Sequence, residues 1–186
     1  MEAQFLRAVF AQPAPVVIGR RLRPFCLAHR VALTALGSPL MRQDAPIAPA
    51  DLLVALRVCS ARDPFAPDLR PTLRDSLAFW RFRFNRAAFL SALREFVAYV
   101  GDHAAHPQTW EKEQQCASDG IPWPLHVVAR LVRNGVPERD AWRMSEGRAL
   151  WLSIAFARHD GAEVSVITER DRLAMSMLDN LTKSNG

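Results

Sequence analysis

Apolar residues recur along this chain at intervals of three and four, the spacing of helices with one buried side, and prolines and glycines divide the runs. Glu2 to Gln12 reads as a short helix with Phe5, Ala8 and Val9 in register, ended by Pro13 and Pro15. PVVIG follows as the strand-like run of the first half, with Gly19 as its turn. Pro24 suits the first turn of a helix that reaches Leu36 and stops at Gly37. After the loop MRQDAPIAPA, a helix from Pro49 to Ala61 collects Leu52, Leu53, Leu56 and Cys59 on one side, and the prolines of ARDPFAPDLRP exclude helix from the stretch beyond it.

Thr72 to Phe84 is helical with apolar residues on two sides: Leu73, Leu77, Trp80 and Phe84 form one stripe, and Phe79 with Phe82 lies largely on the other. Asn85 caps the next helix, whose stripe is Phe89, Leu93, Phe96, Val97 and Val100 and whose end falls at Gly101. His103 to Gly120 is a long polar connection. Pro122 and Pro124 then open a helix with Leu125, Val128, Leu131 and Val132 inward, His126, Arg130 and Arg133 outward, and Gly135 as its stop. Pro137 and Glu138 start a short helix burying Ala141, Trp142 and Met144. Ser145 to Asp160 is apolar nearly all round, as befits a helix surrounded by others. EVSVI reads as a short strand, and Thr168 with Asp171 opens a last helix with Leu173, Met177 and Leu181 on its apolar side.

These patterns predict an all-α fold, a compact multi-helix domain with one short two-stranded β pairing between PVVI and EVSVI. The composition break divides the chain into an N-terminal helical half, 1–102, a polar connection, 103–121, and a C-terminal four-helix half, 122–186, or the halves close as one domain. At 186 residues, 49% hydrophobic and 23% charged, the chain can bury a real core. No apolar run reaches the roughly 18 residues of a membrane span. MEAQFLRAVFAQ lacks a basic leader region, so the expected location is the cytoplasm. Three cysteines without a CxxC pair read as reduced thiols.

The formal net charge is +5, and only Lys112 and Lys183 are lysines. The arginines are interleaved with acids from Arg7 to Arg172, a solvating pattern rather than a nucleic-acid stripe. The chain carries no phosphate loop, dinucleotide fingerprint, nucleophile elbow or HExxH, so no enzyme and no cofactor is expected. Cys26 with His29 at i,i+3, and His103 with His106 and Cys116, are metal-ligand types that lack the further pair needed to complete a site. A helix with apolar residues on two sides is either a central helix packed on both or one that exposes a side to a partner; on the second reading Phe79 and Phe82, with Arg81 and Arg83 beside them, are the candidate partner-binding residues, since an apolar patch inside an arginine rim suits a protein interface.

Two stretches resemble phage tail assembly chaperone-like proteins. One carries Leu22, Pro24, Phe25, Leu27 and His29, then Gly37-Ser38-Pro39, Asp51-Leu52-Leu53 and Cys59-Ser60; the other is Ala141 to Glu163. Cys26 and Ala28 stand where small polar residues or glycine would be expected. The resemblance covers about half the chain. It implies a non-enzymatic protein that binds tail tube or tape measure subunits transiently in a bacterial host and is absent from the finished particle. The alternatives are a structural connector or completion component of a phage-like particle and a basic helical nucleic-acid-binding protein; a homo-oligomer is compatible with each.

Overall fold

The computed structural model describes residues 5–6, 10, 15–42, 45–105, 107, 120–163, 165–167, 171, 175 and 177. Among these, one hairpin, β1 (Val16–Val17) and β2 (Arg20–Arg21), precedes seven α-helices: α1 (Leu27–Ala35), α2 (Pro49–Ser60), α3 (Leu73–Phe84), α4 (Arg86–His103), α5 (Trp123–Arg133), α6 (Glu138–Arg143) and α7 (Glu146–His159). The fold is all-α with a short β pair. None of the described helices is long and apolar enough to cross a membrane.

The strand pairing is local. Val16 pairs with Arg21 and Val17 with Arg20, antiparallel, so PVVI takes its neighbour two residues on rather than EVSVI, whose Val164 lies outside the described residues. The turn places Ile18 at φ 49° and Gly19 at φ 64°, the pair of left-handed residues a two-residue hairpin requires. Ile18 takes this strained conformation while packing against the core.

Most helix ends follow their signals. Thr72 caps α3, its Oγ1 accepting from Asp75 N at 3.3 Å while Thr72 N donates to Asp75 Oδ2 at 2.8 Å, a capping box with Asp at the third position. Asn85 Oδ1 accepts from Ala88 N at 2.9 Å at the start of α4. Gly37 sits at φ 65° beyond α1, with Ser38 N donating to Leu33 O at 2.9 Å. Two boundaries differ from the sequence reading. Helix α1 starts at Leu27 because Phe25 and Cys26 are held extended against the start of α7: Glu146 N donates to Phe25 O at 2.9 Å and Cys26 bridges Ser145. Helix α4 runs through Gly101 to His103, whose Nδ1 lies 2.9 Å from Tyr99 O.

Two apolar clusters form the interior. The first joins Val17, Leu22, Phe25 and Leu33 to α2, to Ala78 and Phe82 of α3 and to Ala92, Phe96 and Tyr99 of α4. The second joins Leu27 to Val127, Val128 and Leu131 of α5, Ala141 of α6 and Ala149 of α7. Helix α1 therefore contributes to both, and Arg30 adds a bidentate bridge to the buried Glu146, Nε to Oε2 at 2.5 Å and Nη2 to Oε1 at 2.7 Å. On α5 the inward stripe is Pro124, Val127, Val128 and Leu131; Leu125 and Val132 face outward, one position round from the expected register. Helix α7 turns small residues inward (Gly147, Ala149, Ser153 and Ala157), which allows close approach of its neighbours, and its large side chains are half-buried on its flanks. Phe5 meets Trp151 edge to face at 5.4 Å.

Candidate interaction surface

Helix α3 carries the most unusual surface among the described residues. Its inward face is Asp75, Ala78 and Phe82, with Phe79 half-buried against the same core. Its outward stripe is Leu73, 86% exposed, Leu77, 73%, Trp80, 55%, and Phe84, 81%. The two faces are thus reversed relative to the sequence reading. Phe82 packs edge to face on Phe89 at 5.7 Å and is unavailable to a partner; Arg81 and Arg83 are exposed as expected. The four residues of the outer stripe lie outside the candidate set of the sequence reading.

The signal that orients the helix is a charged one. Asp75 lies on the Ala78–Phe82 side, where its Oδ2 accepts from Arg57 Nη1 at 2.5 Å and from Thr72 Oγ1 at 2.7 Å, and its Oδ1 accepts from Arg20. Arg57 is buried on α2 and turns its remaining donors to Asp68 O, Nε at 3.0 Å and Nη2 at 2.8 Å. Burial pushes the Asp75 carboxyl up, but the bonds from Thr72 and Arg20 outweigh it and hold the pKa at about 2. Arg74 locks the same orientation from the side: its Nη2 donates to Ile18 O at 3.0 Å and its guanidinium lies directly over Gly19, where a Cβ would collide. Hairpin, α2 and α3 are therefore tied by ion pairs, and the larger apolar stripe is left outside.

Beside that stripe runs an apolar groove of about 340 Å³ between α2 and α3, walled by Leu53, Val54, Leu69, Pro71, Phe79 and Trp80 and floored by the Arg57–Asp75 pair. Trp80 stacks on Phe84 at 5.6 Å and 14°, so groove and stripe share one aromatic ridge. The geometry can hold another chain's bulky side chain in the groove and its apolar face along the ridge.

The metal candidates serve other ends. Cys26 N donates to His29 Nδ1 at 3.3 Å, and the Cys26 thiol lies 3.3 Å from the same nitrogen, capping the start of α1. Burial drives the Cys26 pKa up to about 11 and, with Arg23, the His29 pKa down to about 4. The thiol is held protonated and the ring neutral, with Nε2 buried and without a hydrogen-bond partner. Burial likewise pushes Cys59, beside Tyr99, up to about 12; the Tyr99 hydroxyl donates to Arg23 O at 2.6 Å. A smaller cleft of about 110 Å³ opens at Cys26 and His29, ringed by Arg23, Arg62 and Arg143. His103 is buried on α4, and His106 and Cys116 lie outside the described residues. Among the described residues no group of three or more His, Cys, Asp and Glu side chains is placed to hold a metal ion. No known family, curated protein or solved structure matches the chain.

Proposed function

We propose that this chain is a non-enzymatic protein-binding domain that holds another chain transiently, in the manner of the phage tail assembly chaperones it resembles, with tail tube or tape measure subunits as its partners in the cytoplasm of a bacterial host. The observation that carries this reading is the outward stripe of α3: four large apolar side chains in register, each more than half exposed, next to an apolar groove. Isolated exposed leucines are ordinary on a folded protein, but a contiguous apolar face rimmed by charge marks a site that a partner covers.

Co-expression with neighbouring tail tube and tape measure candidates, followed by pull-down and size-exclusion with light scattering, tests the proposal. The expected result is a defined complex that is absent with Leu77→Glu. Failure to form any complex, with the solubility of both proteins unchanged, sinks the reading. Stoichiometric persistence in purified particles, measured by mass spectrometry, replaces the chaperone role with a structural one.

A further inference from the structure

We infer that the occupant of the α3 face is an acidic amphipathic helix of about three turns, with one bulky apolar side chain seated in the groove beside Trp80; the inference deepens the protein-binding reading and rests on it. The length follows from the stripe. Leu73, Leu77, Trp80 and Phe84 fall at i, i+4, i+7 and i+11 on one helix, a ridge roughly 16 Å long. A partner helix laid along it meets the ridge with its own i, i+4, i+7 positions.

The sign of the partner's charge follows from the rim. From Leu69 to Leu90 the chain carries Arg70, Arg74, Arg81, Arg83 and Arg86 against a single acid, Asp75. All five arginines are exposed, and none is paired with a carboxylate of another described residue. Asp75 is buried and already engaged by Arg20 and Arg57. The unmatched positive rim selects Asp and Glu flanking the partner's apolar stripe. It also argues against a second copy of this chain: two such rims laid together bring arginines into opposition with no exposed α3 acid to offset them, and like charges across an interface disfavour it.

The groove decides between a peptide and a nucleic acid. Stacked Trp80 and Phe84 with arginines nearby could serve as a platform for bases. However, the groove walls are hydrocarbon and aromatic, and the polar groups at its floor are committed. Arg57 is shared between Asp75 and Asp68 O, Asp75 also accepts from Thr72, and Ser76 Oγ donates to Thr72 O at 3.4 Å. A base seated there leaves its hydrogen-bonding edge unpaired, whereas Leu, Phe or Trp leaves nothing unpaired. Two leucines continue the ridge where a base platform calls for further aromatics.

Selection of random 16-residue displayed peptides on the intact protein, counter-selected on Leu77→Glu, tests this directly. Leu77 is exposed, so the variant keeps its fold, which circular dichroism verifies. Enriched peptides should be net acidic with apolar residues at helical spacing. A synthetic peptide of the enriched sequence should bind at least tenfold more weakly to an Arg81→Glu/Arg83→Glu variant, and replacing the peptide's acids with lysines should restore binding to that variant. Enrichment of basic or unpatterned peptides, or equal binding to Leu77→Glu, overturns the inference. So does binding of an oligo(dT) 20-mer that displaces the peptides and is abolished by Leu77→Glu, because it gives the face to nucleic acid. A tail-protein complex indifferent to Leu77→Glu and to the arginine reversals keeps tail-protein binding but moves it off the α3 face, and removes this inference. Acidic-peptide binding without any tail-protein complex does the converse.

Discussion

Helices α2 and α3 are both 12 residues long and meet in the same apolar cluster, yet they divide their surfaces in opposite ways. Helix α2 buries seven residues, among them a charged one, Arg57. Helix α3 buries three, of which the charged one is Asp75, and leaves its longest apolar stripe in solvent. The two charges are partners, at 2.5 Å. A buried ion pair is costly to break, because the survivor keeps its desolvation penalty. Once Arg57 is inside, Asp75 must follow, and Asp75 brings Ala78 and Phe82 with it at i+3 and i+7. The orientation of an amphipathic helix can thus be set by its one satisfied polar contact rather than by its largest apolar moment.

The sharpest break in this comparison is Asp75→Ala. It leaves the buried Arg57 with Asp68 alone, frees Arg20 and removes half of the capping box, and is expected to destabilise the chain by about 3–5 kcal/mol in urea unfolding followed by circular dichroism. Leu56→Ala, on the buried side of α2, should cost about 2–5 kcal/mol in the same measurement.

Acid separates the contributions of two buried groups. The His29 pKa is lowered by burial and then by Arg23, from 6.5 to about 4. The unfolded chain therefore takes the proton first, and stability is full above pH 6.5 and declines as pH falls toward 4, by about 3 kcal/mol over the interval. Urea midpoints across that window should fall in the native sequence and stay nearly level in His29→Gln. Asp75, with a pKa lowered from 3.8 to about 2, acts in the next window: its contribution, about 2 kcal/mol, is present above pH 3.8 and lost as pH falls toward 2. The smallest effect is expected on the outside of α3. Leu77→Ala and Phe84→Ala should shift stability by less than about 0.5 kcal/mol while weakening partner capture, the reverse of the outcome at Leu56.

Much of this architecture is legible in the residues. Thr72, Asn85, Pro49, Gly37 and Gly135 mark helix ends by backbone chemistry that acts over three or four residues, and those ends fall where the signals put them. Positions set by distant partners depart from their local signals. Pro24 can start a helix, but the extended segment that bonds to α7 delays α1 to Leu27. Gly101 can stop one, but nothing forces it out of helical φ and α4 continues. Pro124 reads as a start signal, and burying its ring rotates α5 so that Leu125 and Val132 face water. The candidate surface follows the same rule. The helix, its two apolar sides and its arginines are all local facts, whereas the choice between sides rests on Arg57 and Arg20, 18 and 55 residues before Asp75. A capping box whose acid falls on a face shared with apolar residues is the local hint that such a choice has been made.

The bridge from Arg30 to Glu146 spans 116 residues, and it sets a timetable for the growing chain. The members of the first apolar cluster all lie between Val17 and Tyr99, so that cluster can close while the rest is still being synthesised. Leu27 and Arg30 cannot: at roughly 5–20 residues per second they wait about 6 to 23 s for the start of α7 to be made. During that interval α1 has one side packed and the other open on the nascent chain. The second cluster, which draws on Leu27 from the early part of the chain and on α5 to α7 from the late part, can be completed only after the whole of the first has been made.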